Sequence, residues 1–440
     1  MSRMATGSRE WELAGAGLSR AYAQLVLAYL LALLYCYPYG IPLGGEASIR
    51  VPDVFGLLCV VGGVAALVFK GSLRVDLLFL AIVGPFLLLE LATPVLGAVA
   101  YREPFDAVSS LRMALLWLPM IFLTMLANPL AEPQFARRLR RVLVVALFLN
   151  VAYGLVQVAV DFGYAPAWLA ITRFLEPWAV DRHFDVVLGL RPAGFFINTT
   201  ALSVFGIVCL AYFYAHYVAN RTREDLWLSL LSFFLVVLTT SRVAFAGAVL
   251  IVALGWFALT AGRKIVVLLL IASASAALLA VIESTIGIDQ VFYRFTRLAE
   301  AGLLADVSFG GRVHETWPAA LAATREYPFG SLISAPRVTA LIDSGYLNYY
   351  IQGRWLFIAA LALMLAGQLA IGLKQLRRSF RSPGALIILF LTVYLTLGLV
   401  VTNPARSPVV IAVVVYAYWA FKTERGSVLV RAMSPQPAGS

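Results

Sequence analysis

Apolar runs of about twenty residues, broken by short polar or basic stretches, recur along nearly the whole chain. About twenty such residues in a helix cross the roughly 30 Å of hydrocarbon in a bilayer. Spans are expected at 22–39, 54–69, 75–92, 111–127, 142–160, 201–217, 227–239, 243–260, 265–282, 355–373, 385–401 and 409–421. The pattern therefore predicts an all-α polytopic membrane protein of about twelve transmembrane helices. Only Ala261-Gly262-Arg263-Lys264 separates the eighth and ninth spans, a tight basic turn. The seventh is short, which suits a helix facing a protein-lined cavity.

The longest interruption runs from Glu283 to Arg354. A connection of this length between short-looped helices is usually functional or disordered. Apolar spacing at Trp317, Ala320, Leu321 and Thr324 predicts a helix inside it, ended by Pro328,. Pro318 fits the first turn of such a helix. The expected organisation is thus spans one to nine over 1–282, a large helical loop over 283–354, spans ten to twelve over 355–425 and a tail over 426–440. A second long loop runs from Asp161 to about Thr200.

Basic residues orient the chain, because cytoplasmic loops collect Lys and Arg. Lys70 and Arg74, Arg137 to Arg141, Arg221 and Arg223, Arg263 and Lys264, and Lys374 to Arg381 all fall on one side when the amino terminus is cytoplasmic. Both termini are then cytoplasmic, the first helix reads as uncleaved, and the two long loops are external. The loops carry arginines, Arg173 and Arg325 among them, against the usual bias.

Composition agrees: 61% apolar and 13% charged residues, with a mean hydropathy of +0.87. The net charge of +11 follows from the basic loops, and no basic patch interleaved with exposed aromatics points to nucleic acid,. Cys36, Cys59 and Cys209, like His183, His216 and His314, are too scattered for a metal site,. Phosphate-loop, dinucleotide and HExxH motifs are absent.

Four stretches carry candidate chemistry. In Arg191-Pro192-Ala193-Gly194-Phe195, proline and glycine make a non-helical approach that holds Arg191 at the outer surface. Its planar fork matches phosphate oxygens, although an arginine snorkelling to headgroups fits the same position. Thr239-Thr240-Ser241-Arg242 puts Arg242 between two apolar helices, a functional candidate by cost alone, or an arginine bound to the carbonyls of a broken helix. Gly310-Gly311-Arg312 offers backbone amides and Arg312 to an anion at a helix start, or is a plain glycine turn. Asp343-Ser344-Gly345-Tyr346-Leu347 supplies Asp343 as a candidate general base and Tyr346 as its hydrogen-bonding partner, or a helix cap with an interfacial aromatic. His314 is an alternative base, and Arg325, Asn403 and Arg406 are candidate cavity-lining residues.

Together, the RPxGxF stretch, the TSR before an apolar helix, the GGR…W…EYPFGS run and DSGYL resemble the O-antigen ligase and Wzy-type polysaccharide polymerase superfamily. The resemblance covers roughly Arg191 to Arg406. It implies a GT-C-like, metal-independent, inverting glycosyltransferase without a cofactor, in the bacterial inner membrane with its site facing the periplasm. The implied donor is an undecaprenyl-diphosphate-linked glycan, gripped by Arg191, Arg242 and Arg312. Implied partners are an acceptor glycan or lipid-linked repeat unit, membrane lipids and a chain-length regulator. Ligases place a histidine before the YL-type segment, where this chain has Asp343-Ser344-Gly345-Tyr346. That departure favours a polymerase of repeat units over a ligase acting on lipid A core or protein. The reading from another class is a transporter of lipid-linked glycan; transporters often show repeated halves with midplane charges, which this chain does not.

Overall fold

The computed structural model describes residues 21–35, 40–44, 47–70, 77–101, 107–126, 132–161, 163–169, 192–196, 198–265, 267, 269, 310–332, 344–376 and 382–433. Helix α1 covers Ala21–Tyr35. There follow α2 (Val51–Lys70), α3 (Leu77–Tyr101), α4 (Ala107–Leu126), α5 (Glu132–Asp161), α6 (Thr199–Asn220), α7 (Arg223–Leu238) and α8 (Arg242–Phe257). After these come α9 (Trp317–Ala323), α10 (Gly345–Leu376), α11 (Pro383–Gly398) and α12 (Pro408–Met433). Every expected span except 265–282, most of which lies outside the described residues, coincides with one of these helices. Five of them, in α2, α3, α5, α6 and α10, are long and apolar enough to cross a membrane. Apolar stretches of 10–17 residues in α1, α4, α8, α11 and α12 accompany them. One departure from an all-α reading is an antiparallel ribbon, Gly40–Gly44 with Ala47–Arg50. Its strands are too short to show an alternating pattern in sequence.

Local chemistry sets the helix ends. Asn198 caps α6 by accepting from the Ala201 N–H, and the helix closes on Arg221 in the left-handed region (φ 65°), whose N–H returns to the Tyr217 carbonyl. Thr222 then caps α7, with Glu224 and Asp225 in its first turn against the positive end of the helix dipole,. Ser382 caps α11 ahead of Pro383.

Proline shapes the interior. Pro119 lacks the N–H that would reach the Leu115 carbonyl one turn back. The Tyr29 hydroxyl of α1 supplies the missing donor at 2.8 Å, and Tyr22 donates to the Pro119 carbonyl at 2.9 Å. Inside a membrane a freed carbonyl needs such a partner.

The core is built around α6, which packs against α5, α7, α8, α11 and α12. Its glycine Gly206 sits where a Cβ would come within 2.9 Å of Val236 on α7. At the end of the molecule where α5 and α7 begin, Arg140 pairs with the buried Asp225 and, at 3.0 Å, with Glu224. Beside them Arg221 donates to the Ala258 carbonyl at 3.1 Å. At the opposite end Tyr101 closes α3 by donating to the Gly330 carbonyl at 2.8 Å.

Candidate functional site

The Pro192–Phe196 turn is non-helical, with Gly194 at φ +60°. Two polar residues of α5 hold it. Gln157 accepts from the N–H groups of Ala193 (3.1 Å) and Gly194 (2.9 Å), and Asn150 accepts from that of Phe195 at 3.0 Å. Asn150 and Gln157 are seven residues apart, two turns along one face, and both are buried. The ring of Phe195 stacks on Tyr153 with centroids 4.6 Å apart. Arg191 itself lies outside the described residues.

The turn abuts the end of α7. A Cβ on Gly154 would lie 3.2 Å from Leu238 and 3.6 Å from Pro192. Leu238 leads directly into Thr239 and Thr240, the latter in the left-handed region (φ 50°), and then into Arg242 at the first turn of α8. Arg242 is half-buried. A helix rises about 1.5 Å per residue. Gly247, whose Cβ would meet the Tyr394 ring at 2.7 Å, therefore sits about 7.5 Å along α8 from Arg242. That contact sets Arg242 level with the end of α11.

Tyr346 reaches the same end of α11. Its hydroxyl donates to the Thr396 carbonyl at 2.9 Å and its N–H to the Leu399 carbonyl at 3.1 Å. The Gly345 N–H bonds the Thr402 carbonyl at 3.0 Å, and the Ser344 hydroxyl bonds the Leu399 carbonyl. A Cβ on Gly345 would lie 2.4 Å from Leu399, so glycine permits this approach. Asp343 lies outside the described residues.

Gly310 and Gly311 are helical, and Arg312–Thr316 forms a single π-turn in which the Trp317 N–H reaches the Arg312 carbonyl. Both glycines thus lie in helical backbone directly ahead of the π-turn. Arg312 is half-buried, and His314 is exposed on the π-turn. Helix α9 follows with Pro318 in its first turn and stops before Pro328, as expected. Arg325 is exposed just beyond its end.

Helix α10 begins at Gly345, ten residues before the expected span at Trp355, and breaks at Gly353 and Arg354. Next to the break lies a polar cluster that the sequence reading did not assemble. Arg406, on the turn before α12, bonds both oxygens of Glu90 at 3.1 Å each and the Gln352 side-chain oxygen at 2.7 Å. Gln352 donates to Thr93 at 2.6 Å, and Tyr349 donates to Asn403 at 3.1 Å. The Arg406 guanidinium sits 5.3 Å from the Tyr349 ring centroid. Burial pulls its pKa down, but the Glu90 carboxylate more than reverses this and leaves it raised. The cluster includes Asn403 and Arg406 from the expected residues and adds Glu90, Thr93, Tyr349 and Gln352. A lone glutamate in the apolar run Leu87-Leu88-Leu89-Glu90-Leu91 was the signal for it,.

Among the described residues no group of three His, Cys, Asp or Glu is placed to hold a metal. Fold and site together define a membrane-embedded helical protein whose polar side chains gather at helix ends and at one broken helix. No protein-family model matches the chain, and no curated protein matches it.

Proposed function

We propose that this protein is a polymerase of lipid-linked oligosaccharide repeat units, a GT-C-like glycosyltransferase of about twelve spans working at the periplasmic face of the bacterial inner membrane. It moves the growing glycan from an undecaprenyl-diphosphate donor to a sugar hydroxyl of an acceptor repeat unit. The acceptor oxygen attacks the anomeric carbon with inversion, and the bond to the diphosphate oxygen breaks with its electron pair. Undecaprenyl diphosphate leaves, and the acceptor proton passes to Asp343 or His314. Arg191, Arg242 and Arg312 stabilise the charge on the departing diphosphate, the electrostatic contribution that usually dominates such steps. Tyr346 already donates its proton to Thr396, so its oxygen is suited to accept a hydrogen bond from the acceptor sugar.

The observation that supports this reading is that Pro192 and Leu238 both lie against Gly154 of α5. The RPxGxF turn and the residue leading into the TSR motif, far apart in sequence, are thereby brought to the same stretch of α5. The test is purified protein in detergent with a lipid-linked repeat unit as sole substrate, without a sealed compartment. Lengthening of the lipid-linked glycan, reduced about 10²- to 10³-fold in Arg242→Ala and Arg312→Ala, is the expected result. Glycan that lengthens only elsewhere, and moves here to lipid A core or protein, makes the enzyme a ligase. Transport across sealed vesicles without transfer refutes both.

A further inference from the structure

Arg354 stands at the break in α10 with φ 51° and ψ −142°, a region that glycine occupies and L-residues avoid,. Gly353 precedes it, so a glycine one position later would have made the same break without strain. What an arginine adds is its side chain. The guanidinium donates to the Thr324 carbonyl at the end of α9 and twice to the Tyr327 carbonyl, at 2.9 and 3.2 Å. It lies 5.2 Å from the centroid of Tyr350. The segment it grips answers in kind. The N–H groups of Ser331 and Leu332 reach the Ile351 and Gln352 carbonyls, which the break frees from helical partners, at 2.8 and 2.9 Å. Gly330 (φ +87°) fits only without a side chain, since a Cβ there would lie 2.6 Å from the Gln352 carbonyl. Tyr101 fastens the far side through the Gly330 carbonyl and an edge contact with Tyr327. Gln352, in turn, is fixed by Arg406 and Thr93.

We propose that Arg354 is a positioning residue, whose guanidinium clamps the segment from Thr324 to Leu332 onto the break in α10. The clamp holds α9, and the π-turn with Arg312 and His314 that leads into it, against the helix that carries Tyr346. This inference rests on the polymerase reading for its catalytic consequence but not for the clamp itself.

The test compares Arg354→Gly and Arg354→Lys in the full-length protein. The first removes the side chain while suiting the backbone; the second keeps an L-residue at the strained position and a charge but loses the fork,. Hydrogen exchange reports the Ser331 and Leu332 amides directly, and turnover on lipid-linked repeat units reports the consequence. Both variants are expected to exchange these two amides about tenfold faster or more, from the loss of charged hydrogen bonds. Amides of α6 should be unchanged. Turnover should fall in kcat with KM unchanged, as for an interaction felt only in the transition state. Wild-type exchange in either variant overturns the clamp. Fast exchange with wild-type kcat overturns the positioning role. If the wild-type protein transfers no glycan, the polymerase reading fails, and exchange still decides the clamp.

Discussion

Replacing Glu90 by leucine should be among the most damaging single changes in the molecule, and the damage should be reversible by a second change. Glu90 is 1% exposed and bonds Arg406 through both oxygens. Leucine at 90 leaves the guanidinium with the Gln352 oxygen and the Tyr349 ring, without a counter-charge among the described residues. Removing one partner of a buried ion pair costs about 3–5 kcal/mol. Arg406 keeps 23% side-chain exposure, which allows some hydration and places the cost near the lower end, about 3 kcal/mol. Glu90→Leu with Arg406→Leu removes both charges. What remains is one unpaired Gln352 oxygen, worth about 1 kcal/mol because its amide still reaches Thr93,. The double variant should therefore recover about 2 kcal/mol over the single one. SDS titration in mixed micelles, followed by tryptophan fluorescence, measures both. A single variant as stable as wild type, or a double variant no better than the single, would show that the pair is not desolvated as the structure has it.

Other changes probe the remaining contacts by the same titration. Gly194→Ala sets a Cβ 2.3 Å from the Asn150 side-chain oxygen at a φ of +60°, and should cost about 1–3 kcal/mol. Tyr29→Phe strands the Leu115 carbonyl, at about 1–3 kcal/mol; in a Pro119→Ala background, where residue 119 regains its N–H, the loss should shrink. Asp225→Ala leaves the exposed Glu224 as the ion-pair partner of Arg140 among the described residues and should cost about 3 kcal/mol. That variant should leave exchange at Ser331 and Leu332, at the other end of the molecule, unchanged.

Much of the fold was legible because membrane spans announce themselves by length and apolarity alone. The loop helix was legible for another reason: Trp317, Ala320 and Pro328 mark a periodic stretch and its end. The Pro192–Phe196 turn followed from its proline and glycine. Its clamps did not, since Asn150 and Gln157 sit in an apolar helix and only tertiary packing shows what they face. The Glu90–Arg406 pair joins residues 316 positions apart, a pairing that no local pattern encodes. The break in α10 was hidden because the pattern ends a loop at Arg354 and starts a span at Trp355, which leaves no helix to break, and an arginine in a glycine conformation gives no signal of its own. Arg191 and Asp343 were legible as candidates but lie outside the described residues.

The enclosure of α6 has a consequence for biogenesis. Of the five helices able to span, it has the lowest hydropathy, 1.7, and 89% of its apolar window is buried. Two of the helices that enclose it, α11 and α12, are synthesised well after it. A nascent chain that has released α6 but not α11 and α12 therefore leaves Tyr214 and Tyr212 without Phe390 and Tyr416, turned toward lipid or a chaperone. The centre of the molecule is completed only when α11 and α12 arrive, so ribosome stalling before α11 should yield a chain that membrane proteases recognise, however well its first helices have inserted.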